Sequence, residues 1–437
     1  MILNFQVKNW SCYRGETCLS LQAGPERDVA NRLPRFGSAS RFEKVLPVAA
    51  IYGGNASGKT QLVKAIEFLQ RFAINSFPKG VLPYEPFLLD AASPNLPTDI
   101  TIQFLVEHTV FEYAVSLSQM KVVHEELAYY TARGANRISL FVRDGQKAAL
   151  GDSWGTPAFQ AYAAQLTLPE GMAFLALSHE LCAESVIVEH VYRWFAGSLL
   201  VISPNTHYLG VEDFCSEGKL AEMTVAYLQK FDTGIKMLEP RRVELSTLPT
   251  PVVQDLSNNV RVGQVVRVQV ADGEIFTVKR LTTGVLEVRR IYATHRMTTG
   301  GDIPFSMASE SDGTRRMLDL IPAFAQLKSP GSRAVYVIDE IDRSLHYLVS
   351  RALVDEFIAS CTGGTRSQLI FTTHDLLLMD QKLLRRDEMY VVDKSPDGES
   401  SLTDLRQFRG VRKDTDVRTR YLEGRFGGIP SNLRIVE

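Results

Sequence analysis

Apolar and polar positions along the chain change rhythm several times, and each change predicts a different element. Residues 1–8 alternate, as a half-buried strand does, and Thr17 to Gln22 forms its expected hairpin partner. Residues 23–44 are mixed and read as a loop, and prolines recur from Pro78 to Pro97, which predicts an extended connection. Three alternating runs then follow closely, Ile100–Val106, Val110–Leu117 and Val122–Tyr130, with a fourth at Arg137–Val142. Their short polar separators predict an antiparallel meander. From Phe159 to Phe231 the spacing turns helical, without sustained heptads, and predicts a helical insertion rather than a coiled-coil arm. Strand patterning returns between Val260 and Tyr292, where Asp272-Gly273 marks a hairpin turn. Beyond Ser311 helix and strand alternate to the end. The expected partition is an N-terminal lobe at 1–150, a helical insertion at 151–258 and a C-terminal lobe at 259–437.

One stretch interrupts this pattern with chemistry. The apolar run Leu46–Tyr52 ends in Gly53-Gly54-Asn55-Ala56-Ser57-Gly58-Lys59-Thr60, and an amphipathic helical pattern begins at Gln61. Strand, glycine loop and helix in that order form a phosphate cradle. Glycines let backbone amides close around an anion, and the helix start adds its positive dipole end. Lys59 is placed to reach the outer phosphates and the Thr60 hydroxyl to ligate Mg²⁺. A nucleotide and Mg²⁺ are therefore the expected ligands.

A second group lies far downstream. Ala334–Ile338 is an apolar strand that ends in Asp339-Glu340. Beside a P-loop, the first carboxylate suits the Mg²⁺ water shell and the second suits polarisation of the attacking water. Upstream, Ser311 and Gly313 open an amphipathic helix carrying Met317, Leu318, Leu320, Ile321 and Phe324. A hydroxyl and free amides there serve an anion, or equally an ordinary N-cap. Ile341 to His346 reads as the start of a helix directly after the acid pair, and Leu369–Thr373 is another apolar strand, with His374 at its tip within reach of a γ-phosphate.

Composition narrows the class. The chain has 437 residues, of which 45% are hydrophobic and 22% charged, with a formal net charge of -2. That is ordinary for a globular protein and offers no global attraction to nucleic acid or membrane. Five scattered cysteines form no C-x-x-C pair, which argues against a metal site or disulfide framework. No run of about 18 apolar residues occurs, so the expectation is a cytoplasmic protein with no membrane partner.

The order of these motifs resembles ATP-binding-cassette ATPases. About 250 residues separate Lys59 from Ser311, whereas 28 separate Ser311 from Asp339 and 34 separate Glu340 from His374. The wide first gap is similar to the SMC, RecF and OLD branch, in which a helical segment interrupts the cassette. More narrowly, Val123–Leu127, Glu310–Arg316, Asp339–His346 and Arg420–Pro430 resemble bacterial AAA-domain ATP-binding proteins of the RloA and AbiLi kind, found in anti-phage loci. The resemblance implies an α/β cassette head, with a mixed sheet and an antiparallel β subdomain, interrupted by a helical insertion. It implies that Ser311 and Gly313 meet the γ-phosphate held by another subunit's P-loop in an ATP-dependent homodimer or higher oligomer. Asp342 and Ser344 would lie in the loop that communicates across the dimer, and His374 would be the switch histidine. Asp312 stands where transporter cassettes have glycine, and a carboxylate there must point away or pair, with Arg315 or Arg316 as the available cations.

Two functions compete. One is an ATPase whose dimerisation senses or regulates an effector, a toxin or nuclease encoded nearby. The other is a RecF- or SMC-like ATPase that clamps duplex DNA, for which the basic positions Arg406, Arg409, Arg412, Lys413, Arg418, Arg420 and Arg425 speak, together with Arg289-Arg290 and Arg385-Arg386. No carboxylate cluster predicts a second, nuclease-type site, and Glu125-Glu126 reads as structural.

Overall fold

A computed structural model describes residues 1–25, 32–36, 44–75, 77, 81–131, 136–182, 185–204, 219–263, 265–270, 273–408, 410–411 and 415–429. The chain divides into two compact units, one made of Met1–Val201, Pro330–Ile341 and Asp355–Glu437, the other of Ile202–Ser329 and Asp342–Val354.

The first unit is a two-sheet sandwich around the glycine-loop helix. Its mixed sheet runs, in order, Ser400–Asp404, Met389–Lys394, Val48–Tyr52, Gln368–Thr372, Val335–Ile338 and Leu199–Ile202. The strand before the glycine loop pairs in parallel with both Met389–Lys394 and Gln368–Thr372, and Gln368–Thr372 pairs in parallel with Val335–Ile338. Val-Ala-Ala-Ile-Tyr, Gln-Leu-Ile-Phe-Thr and Val-Tyr-Val-Ile are buried at every position. Continuous burial explains why these strands are apolar without alternation, as central parallel strands are. The second sheet is antiparallel with seven strands, from Thr17–Ser20 and Ile2–Lys8 through the meander to Lys147–Leu150. Here burial alternates, as in Thr98–Val106, because only one face meets the core. Between the sheets, helix Lys59–Ala73 buries Leu62, Ile66, Leu69 and Phe72, and one apolar cluster joins it to Phe5, Ile102 and Phe104 on one side and Ile51, Val337 and Ile370 on the other.

The second unit carries its own antiparallel sheet, ordered Ile235–Val243, Leu286–Arg296, Ile275–Arg280 and Val265–Gln269, with Asp302–Ser306 also on Leu286–Arg296. Helices Lys219–Lys230, Thr250–Asn259 and Asp312–Lys328 accompany it. Leu248, Leu256, Phe276, Val278 and Val288 form a small separate core.

The α/β class, the mixed sheet and the antiparallel subdomain match the expectation, and so do the meander and the hairpin strands on either side of residue 272. Asp272 itself lies outside the described residues, as do Cys215 and residues 205–218 of the expected insertion. The expected boundaries at 150 and 258 do not coincide with the units. The segment 151–258 also contains strands Leu199–Ile202 and Ile235–Val243 among its helices. Ile235–Val243 hides from a periodicity reading because Pro240 and two arginines break its alternation. Its identity comes instead from antiparallel pairing with Leu286–Arg296, more than 40 residues away. A second difference follows the acid pair: Ile341–His346 is a turn, and the helix begins only at Tyr347. Left-handed φ values of 50° at Glu340 and 59° at Ser344 preclude a helical start there.

Candidate active site

Ligands of open α/β sheets bind beyond the C-terminal ends of the strands, and three adjacent parallel strands here deliver predicted site residues to that one edge. Val48–Tyr52 leads into the glycine loop, Gln368–Thr372 leads to His374, and Val335–Ile338 ends in Asp339-Glu340. The Thr373 amide donates to the Ile51 carbonyl at 3.0 Å, carrying the ladder up to the site.

The glycine loop is held from outside. Gly53 has φ 155°, and a Cβ there would stand 2.6 Å from the Val392 carbonyl oxygen and from Ser57 Oγ. Gly58 has φ 119°, and its Cβ would meet Cys12 Sγ and Ser400 Oγ at 2.8 Å. Neither position admits a side chain. Tyr13 donates its buried hydroxyl to the Gly58 carbonyl at 3.0 Å, and Ser400 donates to the Ser57 carbonyl at 2.6 Å. The Ser57 amide donates within the loop to the Gly54 carbonyl at 3.3 Å. Lys59 is buried, and its ammonium donates to the Gly53 and Gly54 carbonyls at 2.7 and 3.0 Å, lying across the loop it would share with phosphate. Ser57 Oγ is buried without a hydrogen-bond partner among the described residues. An unpartnered hydroxyl, a cradle closed to any Cβ and a lysine over the loop fit a bound polyphosphate.

At the acid pair, Asp339 is 1% exposed and accepts a hydrogen bond from the Thr372 hydroxyl at 2.5 Å. The same Thr372 oxygen accepts the Glu340 amide at 2.8 Å. One side chain on the neighbouring strand therefore fixes both carboxylate residues. Glu340 is only half-buried, suited to meet a water, and its left-handed backbone turns the chain away from the strand direction. His374 is exposed at its strand tip. Thr60, half-buried in the first helical turn, and buried Asp339 are residues that could hold Mg²⁺.

The second unit gathers the remaining predicted residues. Ser311 is the N-cap of helix Asp312–Lys328, and its hydroxyl accepts the Thr314 amide at 3.1 Å and meets the Thr314 hydroxyl at 2.9 Å. Gly313 packs against the turn after the acid pair, because a Cβ there would lie 2.6 Å from the Ser344 carbonyl oxygen. In this turn the Asp342 carbonyl accepts the Leu345 amide at 3.1 Å. Asp312, whose side chain is largely exposed, pairs with Arg315, and Arg315 also donates to the Met307 and Ala308 carbonyls at 3.2 and 3.3 Å. The carboxylate that departs from the cassette pattern thus has the cation it requires.

Tyr13, Ser400 and Thr372 were not singled out by sequence. Each reaches its partner across the fold, and no local spacing announces such contacts. Glu125 is structural, as expected: fully buried, it pairs with Arg143 at 3.4 Å and accepts the Phe174 and Leu175 amides at 2.8 and 3.1 Å, so it caps a helix. The described basic residues near the C-terminus are engaged. Arg406 pairs with Asp404 at 3.0 Å, Arg418 with Asp416 at 3.7 Å and Arg425 with Glu423 at 2.5 Å, while Arg420 donates to the Gly410 carbonyl at 2.9 Å. Arg409, Arg412 and Lys413 lie outside the described residues. Arg289 pairs with Glu287, Arg290 with Glu274 and buried Arg385 with Asp387. Among the described residues no His, Cys, Asp and Glu cluster suits a metal held by protein alone, and no helix is long and apolar enough to cross a membrane.

Comparison with known proteins bears on the class. Residues 231–380 match a family model described as "AAA domain, putative AbiEii toxin, Type IV TA system". The matched stretch contains Ser311, Asp339, Glu340 and His374 and begins well after the glycine loop. It supports a nucleotide-dependent ATPase domain of AAA type. Among solved structures, the chain is similar to an SMC head domain from Thermotoga maritima, at 12% identity, over 92% of this chain and 98% of that one, with a TM-score of 0.37. No curated protein matches the sequence.

Proposed function

We propose that this protein is a Mg²⁺-dependent ATPase whose ATP-bound form self-associates and thereby senses or regulates an effector protein, a toxin or nuclease, in bacterial anti-phage defence. The observation that carries the hydrolytic reading is the convergence of glycine loop, acid pair and histidine on one edge of three adjacent parallel strands. Lys59 gives up its two loop carbonyls to bind the β- and γ-phosphates, while the loop amides and the first turn of the helix hold the remaining oxygens. Thr60 and Asp339 would hold Mg²⁺, which would supply neutralisation of charge on the transferring phosphoryl group. Glu340 accepts a proton from the attacking water, and His374 contacts the γ-phosphate from the neighbouring strand. Thr372 holds both acids, donating to the Asp339 carboxylate and accepting the Glu340 amide, with Asp339 buried and Glu340 half-buried.

The self-association rests on the second helix start. Ser311 and Gly313 offer a hydroxyl and amides for a γ-phosphate on another copy, and the Ser344 turn supports Gly313 from behind. The effector and the defence context rest on the family resemblance and on the words of the matched family's description. The alternative, a duplex-DNA clamp, loses support from the ion pairing of the described arginines, because a paired guanidinium releases fewer counterions on binding. Two experiments test the proposal together. Glu340→Gln should retain nucleotide while losing turnover, measured by equilibrium binding and phosphate release. DNA affinity should be weak and nearly flat with salt; a steep salt dependence would favour the clamp instead.

A further inference from the structure

The two strands that carry the catalytic groups at their C-terminal tips each begin with an arginine at the opposite end. Arg333 lies two residues before Val335–Ile338 and Arg366 two before Gln368–Thr372. Both line a cavity of about 300 Å³, together with Glu107, His190, Arg193 and Trp194. From Asp339 to Arg333 the strand spans roughly 20 Å at about 3.3 Å per residue, so this cavity is distinct from the glycine-loop edge.

Its electrostatics are those of an anion receptor. Three guanidinium groups face one carboxylate among the described lining residues. Glu107 pairs with Arg333, with one contact at 3.1 Å, and Arg193 pairs with Glu189 on its own helix. Among the described residues Arg366 meets only neutral acceptors, the carbonyls of Thr365 at 2.8 Å, Arg35 at 3.1 Å and Gly363 at 3.3 Å, and its guanidinium lies 4.3 Å from the Phe36 ring centroid. Its charge is therefore oriented, with no carboxylate against it among the described residues. Burial, and then the charge of Arg333, pull Arg366 below its ordinary pKa, as expected where cations crowd. Independently, Trp194 is 4% exposed, and its indole N–H finds no acceptor among the described residues. Buried donors are almost always satisfied, by protein, water or ligand.

We propose that this cavity is a second anion site, which takes inorganic phosphate or a small phosphate monoester through Arg366, Arg333, Arg193 and the Trp194 indole N–H. The volume lies at the lower end of small-molecule sites, about 300–1,000 Å³, and matches a ligand of that size rather than a nucleic-acid backbone. The planar donors of arginine suit phosphate oxygens. This inference does not depend on the ATPase reading.

The test fills the glycine loop first, with a non-hydrolysable ATP analogue and Mg²⁺. Inorganic phosphate is then titrated against chloride at equal ionic strength, following tryptophan emission and the thermal midpoint. A saturable response to phosphate is expected, weakened about tenfold, or about 1.4 kcal/mol, in Arg193→Ala. Arg193 is largely exposed, so its loss leaves the fold intact and the analogue still bound. Arg366→Ala should abolish the response, and Trp194→Phe should remove the emission change. Adenosine monophosphate saturating at lower concentration than phosphate would identify a nucleotide monoester, and equal affinities would identify phosphate itself. A phosphate response no different from that of chloride, or one fully retained in an Arg193→Ala/Arg333→Ala double variant, would overturn the proposal.

Discussion

Two helices in this molecule begin at residues predicted to meet phosphate, and they solve the problem of their unpaired first-turn amides in opposite ways. Helix Lys59–Ala73 follows Gly58, which has no side chain to cap it, and the loop before it is tied down by Tyr13 and Ser400 through its carbonyls. Helix Asp312–Lys328 is capped by its own Ser311, which accepts the Thr314 amide. In the first, distant parts of the fold hold the loop carbonyls, and Ser57 Oγ is left without a partner among the described residues. In the second, the hydroxyl is occupied locally, and an anion must compete with the cap. Under the proposed function the first would be the permanent nucleotide site, and the second one that engages only when a γ-phosphate is presented to it.

The difference can be attacked at graded strength. The largest effect is expected at Glu340. Replacing it with Gln removes the proton acceptor and should lower turnover by about 10²–10⁴-fold, with nucleotide affinity nearly unchanged, as phosphate release and equilibrium binding will read. Lys59→Ala removes charge-assisted contacts of about 3 kcal/mol in all. Titration with a fluorescent ATP analogue should show affinity reduced by roughly a hundredfold; wild-type affinity would contradict the glycine-loop assignment. Thr372→Val leaves Asp339 buried without its hydroxyl donor, which should cost about 1–3 kcal/mol in urea unfolding and also slow turnover, since both acids lose their shared anchor. Gly313→Ala forces a Cβ against the Ser344 carbonyl, 2.6 Å away. A destabilisation of about 1–3 kcal/mol is expected there, with ATP-dependent assembly lost before ATP binding is. Arg315→Ala should do least. Its partner Asp312 is largely exposed, so the lost pair is worth at most about 1 kcal/mol, although the freed carboxylate should still weaken assembly.

Much of the candidate site was legible because its motifs are local. The glycine loop, the apolar strand ending in Asp339-Glu340, the Ser311 helix and the strand ending at His374 each carry their meaning within about ten residues, and each occupies the kind of element expected. What the sequence did not disclose depends on contacts between distant segments. Ser400 stands 343 positions from the Ser57 carbonyl it supports, and Thr372 stands 33 from Asp339. Ile235–Val243 becomes a strand through pairing that overrides its poor alternation. The turn after Glu340 was misread as a helix because its residue types permit one, whereas backbone dihedrals at Glu340 and Ser344 exclude it. A cation for Asp312 is expected at Arg315 or Arg316, and three positions along a helix bring Arg315 to it.

The most direct test of the account is the solution mass of Glu340→Gln with and without Mg-ATP, by light scattering. A larger assembly that forms only with ATP, and that disappears when Ser311→Arg is added, is the predicted result. An unchanged mass with ATP bound would contradict nucleotide-driven self-association, and an ATP-dependent assembly that survives Ser311→Arg would contradict the role given to the second helix start.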